Sequence, residues 1–83
     1  MNAKGFGAYV RGQRYLKGIS IADASKQTGI SEVQLRNIEK GLCAPQPATF
    51  IKIINALGLD NKEAISILED EKVDTADEGE LQN

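Results

Sequence analysis

Between Ser20 and Gly41 the chain reads SIADASKQTGISEVQLRNIEKG, and the spacing within this stretch leaves few folds open to it. Ser20 suits a helix N-cap, because its hydroxyl accepts from an orphan N–H two or three residues on. Gly29 follows Thr28 where that helix must stop, and glycine takes the left-handed conformation needed there without a Cβ penalty. Ser31 caps a second helix, expected over residues 32–40 and ending at Gly41. With Ile21 as position one, inward positions fall at Ala24, Ser25, Ile30, Leu35 and Ile38, and glycine holds position nine. Small side chains at Ala24 and Ser25 let the two helices cross closely.

The remaining segments read as helices that support this pair. Eighty-three residues make one domain, and a chain so small buries only about 60% of its unfolded surface, so every apolar stripe counts. Phe6, Tyr9, Val10 and Leu16 give an inward stripe on a helix expected over residues 6–17, preceded by a loose arm at residues 1–4. Gly5, Gly7 and Gly12 weaken that helix by up to ~1 kcal/mol each, Gly18 ends it, and Ile19 turns back inward. LCAPQP is a loop, and Pro47 opens a fourth helix to Leu57 with Phe50, Ile51, Ile53, Ile54 and Leu57 on its apolar face. Gly58 ends it. Asp60 with Glu63 is a capping-box-like pair that opens a fifth helix to about Glu71, carrying Ala64, Ile65, Ile67 and Leu68. The expected class is all-α, a compact five-helix bundle over residues 1–71, followed by a disordered acidic tail over residues 72–83 that folding does not need.

Composition narrows the function. The sequence has no histidine, which removes the usual general base and the commonest metal ligand. No enzyme, cofactor or metal is therefore expected. Lone Cys43 cannot form an internal disulfide and reads as an incidental small residue, in keeping with a reducing cytoplasm. No apolar run is long enough for a membrane span. The net charge of −2 hides an asymmetry: through Lys40 seven basic residues face three acidic ones, and beyond it three lysines face nine acids. A local positive field is what a phosphate backbone responds to.

The Ser20–Gly41 pattern is a helix-turn-helix, whose second helix can enter a DNA major groove. Residues 6–59 resemble the Cro and phage-repressor type of helix-turn-helix, also called the XRE family. The landmarks are Arg14, Ser20, Gly29, Ile30, Ser31, Ile38, Glu39, Gly41, Pro45 and the segment Ala56-Leu57-Gly58. The chain departs from the pattern at Gln13, where a leucine is usual, and at Ile21, where a glutamine usually touches phosphate and braces the recognition helix.

The resemblance implies that Glu32, Val33 and Asn37 face base edges. Their chemistry suits it: asparagine pairs bidentately with adenine, valine meets a thymine methyl, and glutamate accepts from cytosine N4. Ser31, Gln34, Arg36, Lys40, Lys26 and Lys17 are candidate phosphate contacts. Arg14 and Glu39 match an ion pair that the family buries between its first and third helices, a structural role. Members often dimerise through the last helix, so Ile65, Ile67 and Leu68 are either a two-fold interface or core. The expected function is a sequence-specific transcriptional regulator, more a repressor than an activator, binding a DNA operator as a homodimer, with a regulatory protein partner or the tail as a means of control. The alternative is a protein-interaction module, antitoxin-like or an antirepressor partner, built on the same scaffold.

Overall fold

Asn2 begins the fold. Its side chain accepts from the Gly5 N–H at 2.8 Å, its own N–H donates to the Leu68 carbonyl at 2.7 Å, and the residue is buried. Helix α1 therefore starts at Ala3 and runs to Leu16, three residues earlier than expected at its N-terminal end. Residues 1–4 are no loose arm: a capped first turn and a long-range backbone bond hold them against the last helix.

The computed structural model describes residues 1–70 as five helices. After α1 come α2 (Ile21–Thr28), α3 (Glu32–Glu39), α4 (Pro47–Leu57) and α5 (Asn61–Glu69). No strand occurs among the described residues, so the all-α expectation holds. The acidic stretch expected to be disordered lies outside the described residues.

Local chemistry sets the helix ends. Ser20 Oγ accepts from Asp23 N–H at 3.0 Å and Ser31 Oγ from Gln34 N–H at 3.1 Å. Gly29 and Gly58 close α2 and α4 at φ 75° and 65°, a region costly for any residue with a Cβ. Helix α3 stops at Glu39, with Lys40 as its C-cap, and Gly41 takes φ 77° just beyond. Pro47 sits in the first turn of α4. Asp60 Oδ1 accepts from both Lys62 and Glu63 N–H, and α5 ends at Glu69, two residues short of expectation.

The core gathers Phe6 and Val10 of α1, Ala24 of α2, Leu35 and Ile38 of α3, Ile53, Ile54 and Leu57 of α4, and Ala64 of α5, with Ile30 and Leu59 from the turns. The Phe6 and Phe50 rings lie 5.5 Å apart, joining α1 to α4. Helix α1 packs chiefly on α3 and α5, while α2 packs on α3 and α4. Two expected inward residues face out instead: Leu16 is 81% exposed and Ile51 55%. On α1 the buried row runs Phe6, Val10, Arg14 at intervals of four, so Leu16 falls about 200° around the helix from Arg14. Ile51 falls at the flank of the α4 stripe.

Candidate nucleic-acid interface

The turn between α2 and α3 is held by hydroxyls. Thr28 Oγ1 donates to the Ala24 carbonyl at 2.7 Å and accepts from the Ile30 N–H at 3.2 Å. Ser25 Oγ donates to the Ile30 carbonyl at 2.6 Å. These bonds satisfy polar groups in a buried turn and fix the crossing of the two helices. Thr28 is the residue that pattern reading passed over; its position before a C-cap glycine is the signal that it back-bonds its own helix.

Helix α3 is anchored from below. Leu35 and Ile38 are buried to within 1% and tie it to the core. A bidentate ion pair ties its end to α1: Arg14 Nε donates to Glu39 Oε2 at 2.8 Å and Nη2 to Oε1 at 3.0 Å. The third donor, Nη1, reaches the Ile19 carbonyl at 2.9 Å. Both side chains are under 10% exposed, and the bond to Glu39 holds the Arg14 pKa above its ordinary value. Gly7 makes this approach possible. It is buried in α1, and a Cβ there would run into the carbonyl oxygens of Ile38 and Glu39.

The opposite face of α3 is open. Val33 is 65% exposed, with Glu32 and Asn37 half-buried beside it on that face. Gln34, Arg36 and Lys40 are exposed, as are Ser31, Lys26 and Lys17. Arg36 Nη2 meets Glu32 Oε1 at 3.1 Å, one helical turn apart, with both side chains about half exposed. Such a pair is worth only ~0.3–0.5 kcal/mol, so either partner releases cheaply to a better ligand. Ser31 accepts in its capping bond and keeps its O–H to donate.

Beside α3 a shallow cleft is lined by Arg11, Arg14 and Tyr15 of α1, Ser20 and Ile21 at the start of α2, and Arg36, Glu39 and Lys40. Arg11 and Tyr15 were not among the residues expected to act there. Their i, i+4 spacing on a helix is the signal that places them on one face. A second groove, largely apolar, shares no residue with this cleft and is lined by Met1, Pro45, Pro47, Phe50, Ile65, Leu68 and Glu69. Ile65 is exposed, whereas Ile67 and Leu68 are half-buried against the core. Exposed Cys43 sits in the loop before these prolines.

A short helix buried on one side, open on the other and joined to its predecessor by a tight capped turn makes this pair a helix-turn-helix. The sequence profile of the family described as helix-turn-helix, which covers the XRE, Cro and phage-repressor type, matches residues 10–60, and the chain belongs to that family. Neither a curated protein nor a solved structure matches it significantly. Membership makes it a DNA-binding regulator in general terms. No helix among the described residues is long and apolar enough to cross a membrane.

Proposed function

We propose that this chain is a sequence-specific transcriptional regulator that sets α3 in the major groove of an operator half-site and acts as a repressor. The observation that carries this reading is the division of α3 into a buried side, Leu35 and Ile38, and an open side with Val33 at its centre. Asn37 and Glu32 flank Val33 on that side, so three different base-edge chemistries project together. Arg36, Lys40, Gln34 and Ser31 surround them with phosphate donors, and Lys17 and Lys26 extend the basic surface. Occupying an operator excludes other proteins from it, and repression is the simplest outcome.

The operator would be read by a homodimer. Ile65 and Leu68 border the apolar groove and suit a two-fold contact through α5, while Ile67 packs against the core without lining the groove. The same groove favours a second reading, an interaction module whose partner is another protein. Salt separates the two: binding to a duplex should weaken steeply as salt rises, by roughly 0.9 log units per log unit of salt for each phosphate neutralised. A tight, salt-insensitive protein complex with no duplex binding would instead favour the module.

The direct test compares two substitutions on selected duplexes. Asn37→Ala should cost ~1–3 kcal/mol on the best site and relax preference at one base pair. Lys40→Ala should weaken all sequences about equally and flatten the salt slope by roughly one unit. Identical, uniform weakening from both would remove Asn37 as a reader.

A further inference from the structure

Tyr15 is 60% exposed, yet its hydroxyl is not idle. It accepts from Arg11 Nη2 at 3.1 Å and from Arg11 Nε at 3.3 Å. Its ring also lies under two guanidinium groups, 5.2 Å from Arg11 and 5.0 Å from Arg14 at the ring centroid. Cation–π contact of this kind fixes the plane of an exposed ring that would otherwise sweep through solvent. Accepting from Arg11 leaves the phenolic proton to be donated outward, and Arg11 keeps further N–H donors besides the two engaged. The result is a fixed array of donors on the rim of the cleft that Arg36 and Lys40 of α3 also line.

The chemistry of the other rim explains why donors from α1 matter. From α2 the cleft receives Ser20 and Ile21. Ser20 Oγ accepts in its capping bond and has one neutral O–H to offer, and the Ile21 side chain brings no polar atom. The carboxylate in the cleft, Glu39, is committed to Arg14. The remaining charge is cationic.

We infer that Arg11 and Tyr15 form a phosphate clamp, gripping one backbone phosphate of the DNA whose major groove receives α3. Arg11 supplies charge and N–H donors, Tyr15 supplies a neutral O–H donor, and the stacked ring holds both in place. The inference rests on the DNA-binding reading above and adds to it two contact residues on a different helix. Phosphate contacts position a protein without reading sequence, so the clamp sets the angle at which α3 lies in the groove.

The test uses the full chain and a random-sequence duplex, on which backbone contacts dominate. Arg11→Ala should flatten the plot of log affinity against log salt by about 0.9, the contribution of one phosphate. Tyr15→Phe keeps the ring and removes the hydroxyl. It should weaken binding by roughly threefold to tenfold with the slope unchanged, the effect of one neutral hydrogen bond. Arg11→Lys should keep the slope, and Lys62→Ala, on α5, should alter neither quantity. Tyr15→Phe stays informative even if Arg11→Ala lowers stability. If the wild type binds with a steep slope and Asn37→Ala relaxes base preference, but either clamp variant lacks its effect, the clamp is overturned and the regulator reading stands. If the wild type shows no salt-dependent binding to any duplex, both fall.

Discussion

Arg14 and Glu39 meet in a two-bond pair between α1 and α3, with Nε–Oε2 at 2.8 Å and both side chains under 10% exposed. A buried pair of this kind contributes little beyond an apolar replacement, but removing one member strands a charge. Glu39→Ala should therefore destabilise by about 3–5 kcal/mol in urea melts. The double variant Arg14→Ala with Glu39→Ala should lose less than the two single losses combined. Strict additivity in that cycle would mean that the pair is not coupled.

Glycines on the same helix should respond in opposite ways. Gly7→Ala forces a methyl against the Ile38 and Glu39 carbonyls and should cost about 1–3 kcal/mol, because backbone on both sides must shift. Gly12 faces open space, and Gly12→Ala should stabilise by about 0.5–1 kcal/mol through lower unfolded-chain entropy. Thermal melts of the two variants give the comparison directly. Equal effects would show that helix propensity, not the α1–α3 approach, governs both.

The N-terminal residues should be needed for full stability. Asn2→Ala removes the cap on Gly5 N–H and should cost about 1 kcal/mol. Deleting residues 1–2 also removes the bond to Leu68 and should cost more. On the scale of a small domain each kcal/mol lowers the melting point by roughly 4–8 °C. A deletion variant melting like the intact chain would detach this segment from the fold.

The chain's two tyrosines should titrate on opposite sides of the ordinary phenol value. The Arg11 hydrogen bond lowers the Tyr15 pKa; burial raises that of Tyr9, with Glu63 beside it and its hydroxyl 3.4 Å away. Absorbance of the phenolates should rise in two waves, and Tyr15→Phe should delete the earlier one. The stability consequences differ in sign. The contribution of Tyr15, depressed when folded, is complete above its unfolded value near 10 and fades as pH falls through the folded value. The contribution of Tyr9, raised when folded, is complete below about 10 and is lost as pH rises through the folded value. A single wave at the ordinary value would contradict both environments.

Most of the fold was legible because its signals are local. Ser20, Gly29, Ser31, Pro47, Gly58 and Asp60 act within three residues of where they stand, so each helix boundary they mark could be read directly from the sequence. Asn2 could not be placed that way, since its second partner is the carbonyl of Leu68, a whole domain away in sequence. Leu16 misled for a related reason. It is apolar, but Arg14 takes the inward position two residues earlier once Glu39 is there to receive it. At the candidate interface, the open face of α3 followed from the burial of Leu35 and Ile38. The Arg11–Tyr15 array did not, because hydrophobic periodicity carries no information about pairs on the solvent side.

The α2–α3 turn carries one more consequence. Its fastenings are the hydroxyls of Ser25 and Thr28 bonded to backbone amides, none of which gains or loses a proton at ordinary pH. With no histidine in the sequence, the side chain that most often gives a protein a neutral-pH switch is missing from this joint. The relative pose of the two helices is thus blind to acidity over roughly pH 5 to 8. A drift of acidity across that range would leave the shape of the exposed α3 face unaltered.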